Sequence, residues 1–572
     1  MKTIHFFTPA LLLSFFISPL IAEERTHTAE QLAALARGDD LTKTESKRPG
    51  NLPDLTKGEP VSEGERPPQI WTFGPTGIAG MMVGKFKGDQ ILVEATLKGS
   101  PAEGKFQKGD VILGMNGKKF VPGGHLGHLI GKAIIEAERE KNAGKITFQV
   151  WRDKNYIKRY GKKNVVGVDI DDLFDKARGD NTLYEWKDEA AREKEVKGFD
   201  EFPILPTTFE VALNLRVFPD YSDTAPYDCP KTNQILEEAW KVLEQRFVAD
   251  PKRPRSGRGG ILEAIALVAS GKPEHRKLVH DWVRSRHGKQ WHPPTVPAGA
   301  MFKPGYKGYK GMLSWHHGFT GLNCALYYEA TGDKFVLPAL RKYAIDTALG
   351  QSAGGSWGHT FAFHSFNGGE FHRMNPGYGA LNAAGNRCFF LITLAQHLGV
   401  KHPEIDQAVK RAHRFFGSYV DQGCIPYGDM PAYDSDDSNG KNTGIAFSMK
   451  LLGDKYGAKY FSMMSSHCAF SRRGGHGTDY HGNWSSWAAA MCGPEVRTYQ
   501  ERNLRWRRTL CRMFDGSFVY HSATGPEQGT LRDPTATHIL HQAVPLKQTL
   551  ITGKDLDEDM FLTDDEMAQL FA

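Results

Sequence analysis

A glycine recurs at six turns that each end an apolar stretch, and that repetition constrains the fold more than any single motif. The turns are Ser270-Gly271-Lys272, Thr331-Gly332-Asp333, Leu398-Gly399-Val400, Leu452-Gly453-Asp454, Cys492-Gly493-Pro494 and Thr552-Gly553-Lys554. Glycine enters the left-handed backbone region without a Cβ penalty, which is what a helix C-terminus favours. Spacings of 61, 67, 54, 40 and 60 residues leave room for two helices and a long loop per repeat. The segments before each glycine are apolar nearly all round. One is 381–398, with Phe389, Phe390, Leu391, Ile392 and Leu394. The segments after it are amphipathic. In 403–420, Ile405, Ala408, Val409, Ala412, Phe416 and Tyr419 form one stripe, with Lys410, Arg411 and Arg414 opposite. Buried helices alternating with half-buried ones describe an inner and an outer ring. The pattern predicts an (α/α)6-type toroid over 229–554, with helix 233–247 or a tail helix at 564–571 completing the outer ring.

Short turns on one face leave the outer-to-inner connections on the other. These are long: 287–311, 351–378, 421–441, 471–484 and 515–535. Long, non-repetitive loops on a rigid scaffold are where function concentrates. They hold eight of the 22 histidines, and His316 and His317 lie just inside the next helix. Two runs gather the polar and aromatic types: His372-Arg373-Met374-Asn375-Pro376-Gly377-Tyr378 and His476-Gly477-Thr478-Asp479-Tyr480-His481-Gly482-Asn483-Trp484. A lyase needs a group that neutralises a uronate carboxylate, a base for the C5 proton and an acid for the leaving oxygen. Asn, His and Arg suit the first role, and His and Tyr suit the other two. The bland alternative is that these side chains hydrogen-bond the loops together.

Charge supports an anionic substrate. The chain carries net +6, and the tail from residue 551 holds seven acids and one lysine, so the remaining body is strongly basic. A basic body favours anionic partners. The N-terminus points to export: Lys2 precedes an apolar run over 4–21 with a cut expected after Ala22, the pattern of a signal peptide. Leu20 makes that cleavage site imperfect, which leaves a retained anchor as the alternative; no later segment is long and apolar enough to span a bilayer. A periplasmic or secreted protein is expected, and no sequence pattern points to a nucleic-acid module. Seven cysteines form no CxxC pair, and an odd count leaves at least one unpaired. No HExxH spacing is present, so zinc is not assigned.

Between a polar linker (23–67) and a charged connector (166–228) lies a run of short strands and turn glycines. It contains Gly77-Ile78-Ala79-Gly80, Gly99-Ser100-Pro101-Ala102 and Gly109-Asp110-Val111-Ile112, then Asn116-Gly117 and a helix near 125–138. In that order and spacing, residues 68–165 resemble a PDZ domain. The resemblance implies a groove between a strand and a helix, where Gly77, Ile78, Ala79 and Gly80 would offer N–H groups to a carboxylate and a peptide would add a strand. The loop is not the usual Gly-Leu-Gly-Phe, so a wider carboxylate pocket or a spacer role stays open. Leu570-Phe571-Ala572 has the apolar character such grooves accept, so the acidic tail 555–572 is a candidate occupant, in cis or from a neighbouring chain; the alternative is that the tail docks on the toroid as a surface helix.

Three loop openings, Gly354-Gly355-Ser356-Trp357-Gly358, Gln422-Gly423-Cys424-Ile425-Pro426-Tyr427-Gly428 and Asp515-Gly516-Ser517-Phe518-Val519-Tyr520, resemble the Gln/Gly/aromatic turns of terpene-cyclase and prenyltransferase toroids. Their expected role is to clamp outer helices to the inner ring. Asp434-Ser435-Asp436-Asp437 resembles the Asp-x-Asp-Asp of class II terpene cyclases, in which Asp436 would be the acid; the same carboxylates also suit Ca²⁺ or a helix cap. The whole chain is similar to an uncharacterised family of exported bacterial proteins that pair a PDZ-like domain with a toroid. The Gly-Pro-Thr-Gly loop, Ser-Pro-Ala and the segment 221–231 carry that likeness. By analogy with toroids that degrade polysaccharides, the expected activity is a lyase or hydrolase acting on an anionic glycan. The alternatives are a glycan- or protein-binding scaffold and, more remotely, cyclase-like acid chemistry at Asp436.

Overall fold

The computed structural model describes residues 54–57, 70–83, 89–121, 126–153, 166–168, 208–249, 260–287, 313–362, 380–428, 432, 441–467, 486–519, 534–556 and 558–571. They fall into two units. The sheet unit lies within 37–239 and 502–529, and the helical unit within 240–501 and 530–572.

The sheet unit contains β1 (Ile70–Thr72), β2 (Ile78–Val83), β3 (Gln90–Leu97), β4 (Val111–Met115), β5 (Lys118–Lys119), β6 (Lys145–Trp151), β7 (Val166–Val168) and β8 (Thr208–Asn214). Their order is β1-β2-β3-β4-β6-β8, with β5 on β4 and β7 on β3. Among the described strands only the β3–β7 pair is parallel. Alternation decides which face each strand buries. In β6, Ile146, Phe148 and Val150 point into a core that also takes Ile91, Val93, Val211 and Leu213. Helix α1 (Leu126–Ala137) lays Leu126, Ile130 and Ile134 on the same core.

Two segments expected elsewhere belong to this unit. Strands β7 and β8 come from the stretch read as a connector, because Phe209, Val211 and Leu213 give β8 an alternating face that pairs with β6 along its whole length. Residues 502–519 come from the stretch read as toroid. Trp506 and Leu510 enter the main core, while Met513 and Val519 pack with Ile70, Ala79, Ala95 and Leu97 in a second cluster. A carboxylate binds the pieces together. Glu138, fully buried just after α1, accepts from Lys231 Nζ at 2.9 Å and from Arg512.

Helix α2 (Pro230–Ala249) starts in the sheet unit and ends in the helical unit. The helical unit continues with α3 (Gly260–Val268), α4 (Pro273–His287) and α5 (Leu313–His316). A π-helical turn at His317–Gly321 leads into α6 (Leu322–Thr331), then α7 (Leu337–Leu349), α8 (Asn382–His397), α9 (Pro403–Gly417), α10 (Lys441–Leu451) and α11 (Lys455–His467). Residues 486–491 are helical, followed by α12 (Pro494–Cys511, whose end joins the sheet unit), α13 (Thr535–Gln542) and α14 (Asp564–Phe571).

All six turn glycines have positive φ, from 67° at Gly332 to 122° at Gly493. At Gly332 the amide closes the helix end by donating to Tyr328 O at 2.8 Å. Gly553 departs from the expectation in one respect. It follows a 3₁₀ turn at Leu550–Thr552 rather than an α-helix, because α13 stops at Gln542 and Pro545 follows within three residues. The burial pattern matches the two helix classes. In α8 every residue from Asn382 to Ala395 is buried, while α9 buries Ile405, Ala408, Val409, Ala412 and Phe416 and exposes Lys410 and Arg414.

Neighbouring apolar helices run in the same direction. A Cβ on Gly318 would lie 3.1 Å from Arg387 Cβ, and one on Gly321 would lie 2.7 Å from Leu391 Cδ2, so 313–331 and α8 advance together. Gly444 abuts Asn386, and Phe447 stacks on Phe390 at 5.3 Å, which gives the same sense for α8 and α10. Helix α3 packs against α6 and against α13, the first apolar helix touching the last.

Two of the three glycine-aromatic turns act as clamps. In the first, Gln351 Nε2 donates to Ala408 O at 2.9 Å, its Oε1 accepts from Arg411 Nε at 2.7 Å, and Trp357 Nε1 donates to Thr347 O at 2.8 Å. In the second, Ile425 N donates to Asn442 Oδ1 at 2.9 Å and Gly423 N donates to Tyr460 OH at 2.7 Å. The described part of the third, through Val519, lies in the sheet unit, where Gly516 abuts Glu238.

The six described cysteines, 229, 324, 388, 424, 492 and 511, are buried, and no two of them form a disulfide. No described helix is long and apolar enough to cross a membrane. The segment read as signal peptide, and most of the polar linker and of the charged connector, lie outside the described residues.

Candidate functional site at the start of the apolar helices

Of the toroid-side candidates, His316 and His317 are described. Arg373, Asn375, Tyr378, Asp436, His476, Asp479, Tyr480 and His481 lie outside the described residues. In sequence these eight precede α8, α10 and helix 486–491.

His316 ends α5 and His317 opens the π turn. A π turn adds a residue to one helical loop and is often found at functional sites. Gly318 and Gly321 let the turn sit against neighbouring helices; a Cβ at Gly321 would lie 2.9 Å from Tyr343 Cβ. His317 is fully buried, with Nδ1 3.2 Å from Leu313 O and Nε2 3.6 Å from Asp346 Oδ2. Its ring meets Tyr343 edge-on at 5.2 Å and Phe361 at 4.9 Å. Burial pushes the Asp346 carboxyl up, but the neighbouring His317 and the hydrogen bond from Lys342 outweigh it and hold the group below its ordinary value. The carboxylate therefore stays charged beside the imidazole, within ion-pair reach of Nε2 but beyond hydrogen-bond distance.

His316 is only half-buried, with its ring 5.6 Å from that of His317 and 6.1 Å from that of Tyr343. It is the member of the group open to solvent. Beside it Trp315 Nε1 donates to His359 Nδ1 at 3.1 Å, which makes Nδ1 an acceptor and puts any proton of a neutral His359 on Nε2. Trp315 stacks on Phe319 at 5.9 Å, and the Arg387 guanidinium lies 4.2 Å from the Phe319 ring centroid.

Other polar groups at these helix starts are committed to structure. Asn382 Nδ2 donates to Gly428 O at 2.7 Å and its Oδ1 accepts from Ser356 Oγ at 2.9 Å. Thr443 Oγ1 and Ser465 Oγ bond at 2.6 Å. A further group was missed from sequence. His538 and His541, three apart on α13, are buried with rings 6.2 Å apart, and His541 lies 6.3 Å from Trp487. Its signal was the i, i+3 spacing in Thr537-His538-Ile539-Leu540-His541. Asp346 was missed as well, and one acid on an amphipathic helix carries no such signal. Among the described residues, no three His, Cys, Asp or Glu side chains are placed to hold a metal ion.

The expected carboxylate loop of the sheet unit is closed. Gly77 N donates to Gly74 O at 3.0 Å and Ile78 N donates to Thr76 Oγ1 at 3.2 Å. Ala79 and Gly80 face Thr72 and Trp71 of β1 on one side and Ala95 and Val93 of β3 on the other. No strand can add along that edge, because β1 occupies it. The space beside α1 is filled as well. A Cβ on Gly131 would lie 2.5 Å from Trp506 O, and one on Gly74 would lie 2.4 Å from Thr509 O. The tail forms helix α14, with Met567 packed near Val496 and Glu566 bonded to Lys459 at 2.8 Å, a conformation that would have to unwind before it added to any strand.

Comparison with known families gives one match. The profile of a domain of unknown function, DUF6288, covers residues 232–553. No curated protein and no solved structure matches significantly.

Proposed function

The chain belongs to the DUF6288 family, and we propose that it is an enzyme acting on an anionic polysaccharide, by elimination or hydrolysis, at the polar start of its apolar helices. In this reading the helical unit is an α/α toroid, supported by the contact of α3 with both α6 and α13. The sheet unit is PDZ-like, supported by its strand order and by the Gly-Ser-Pro-Ala and Gly-Asp-Val-Ile signatures. It serves to hold residues 502–519 rather than to receive a peptide.

The observation that carries the proposal is the half-open His316 beside a buried His317–Asp346 pair, seated on a π turn. His316 takes or gives the proton, and the His317–Asp346 pair stands behind it. Arg373 and Asn375 neutralise the uronate, and Tyr378, Tyr480 and His481 supply the remaining acid or base, with His476 and Asp479 in the same loop. The basic body draws the polyanion in. Export to the periplasm or medium, read from residues 1–22, puts the protein where such polymers occur.

The test is a panel of anionic polysaccharides, following the absorbance of unsaturated products and the release of reducing ends. His316→Ala is expected to lower kcat by about 10²–10⁴-fold, the range for a proton-transfer residue. Tyr480→Ala and His481→Ala should lower it too. Turnover unchanged by all three variants refutes the assignment. A second reading, a glycan-binding scaffold, is favoured by the many polar groups tied into clamps, such as Asn382 and Asn442; saturable binding without product would select it. A Ca²⁺ titration of the thermal transition tests the cation reading of Asp434, Asp436 and Asp437, and no shift removes it.

A further inference from the structure

The sheet unit holds a cavity of about 430 Å³. One wall is the turn Gly99-Ser100-Pro101 after β3, another is Asn214–Arg216 at the end of β8, and the rest is Arg512, Phe514 and Pro75. Nothing in the sequence reading singled it out.

Its charges do not balance. Lys231 and Arg512, both almost fully buried, share the single carboxylate of Glu138. Arg216 bonds Glu238 through Nη2. Two guanidiniums, Arg216 and Arg512, therefore line the cavity, and no carboxylate is among its lining residues. Of the acids further out, Asp220 is bonded by Arg139, and Glu103 is exposed and accepts from Gly99 N at 2.7 Å. A buried cation left short of a counter-charge is costly, and an anion placed beside it offsets that cost. A guanidinium has five N–H donors in a planar fork that fits a carboxylate. Among the described residues, Arg216 and Arg512 each spend only the Nη2 group on an acid. The remaining walls, Pro75, Pro101, Leu215 and Phe514, are apolar and suit a hydrocarbon body.

We propose that this cavity binds a small organic carboxylate with an apolar body, its carboxylate held by Arg216 and Arg512 and its body against Phe514. The test uses the full chain and sodium benzoate, read by saturation-transfer NMR and by thermal shift, with inorganic phosphate at matched ionic strength in parallel. Benzoate should bind saturably. Arg216→Gln should weaken it about tenfold or more, since a charge-assisted hydrogen bond contributes on the order of a factor of ten. Phe514→Ala should weaken it as well, and carries the test alone if Arg216→Gln does not fold. Absence of saturable benzoate binding overturns the proposal. So does affinity unchanged in both variants, or phosphate binding as tight as benzoate.

Discussion

Removing the Glu138 carboxylate should destabilise the sheet unit more than any other single charge change. Glu138, Lys231 and Arg512 are separated by 93 and 281 residues in sequence, and they meet at one point inside the protein. Replacing Glu138 by Gln leaves two cations buried without a carboxylate. Breaking a buried pair by removing one partner costs about 3–5 kcal/mol. Part of that is recovered on aromatic faces. Lys231 Nζ lies 5.3 Å from the Phe218 ring centroid and 4.8 Å from that of Tyr221, and the Arg512 guanidinium carbon lies 4.6 Å from Phe218. A desolvated contact of this kind retains about 1–2 kcal/mol for the cations, so a net loss of about 3 kcal/mol is expected. The assay is urea unfolding followed by tryptophan fluorescence, in which Trp506 reports from the core of this unit. With a slope of about 2 kcal/mol/M, the midpoint should fall by about 1.5 M. The double variant Glu138→Gln, Lys231→Met removes one stranded cation along with the acid, and should be more stable than Glu138→Gln alone. A midpoint change below about 0.5 M, or a double variant less stable than the single, would refute the electrostatic reasoning.

Asp333 offers a pH test in the helical unit. It receives both arms of Arg284, at 2.7 and 2.9 Å, and Tyr327 OH at 2.9 Å, and these bonds bring its pKa from 3.8 to about 2. A depressed carboxylate stabilises the fold above its unfolded pKa. Asp333→Asn should therefore cost about 1–2 kcal/mol at pH 7, allowing for solvent screening, and the cost should vanish as pH falls from about 4 to 2; a pH-independent difference in urea midpoints defeats this. Gln351→Ala removes three hydrogen bonds of the first clamp and should cost about 2–3 kcal/mol in the thermal or urea transition, and a loss under about 0.5 kcal/mol would show the clamp to be redundant. Burial raises the thiol pKa of Cys324 and Cys388, and pushes that of Cys492 up to about 12. Iodoacetamide at pH 8 followed by peptide mass spectrometry should leave these three unlabelled until the protein is unfolded.

The alternation of helices was legible because its signal is local and repeated. A positive-φ glycine after an apolar segment says where a helix stops, and the stripe in 403–420 says which face is buried. The strands were legible for the same reason; the short strands expected within 68–165 appear as β1 to β6. Long-range partners left no such mark. The alternation of Phe209, Val211 and Leu213 shows a strand but not which sheet accepts it. Nothing in 494–511 says that Trp506 leaves one unit for the core of the other. At the candidate site the histidine pair was visible as a dipeptide, but Asp346 becomes its partner only when α7 folds against the π turn.

The same limit applies to the glycines of the sheet unit. Gly80 of β2 and Gly131 of α1 stand where a backbone approaches closely, as one would in a peptide groove. In this protein close approach is also what the glycines permit, but the approaching backbone is its own. Thr509 O lies where a Cβ of Gly74 would stand, Trp506 O lies where that of Gly131 would stand, and β1 runs along β2. Small residues mark where another chain comes near, and they do not say whose chain it is. Covalent linkage favours the internal partner, because residues 502–511 reach the groove without the translational and rotational cost that a separate peptide must meet. Any outside ligand beside α1 would first have to displace Trp506 and Leu510 from the core, at about 3–5 kcal/mol for a large buried side chain. The cavity beside Arg216 and Arg512 demands no such displacement, which is why the sheet unit is better suited to a small anion than to a strand.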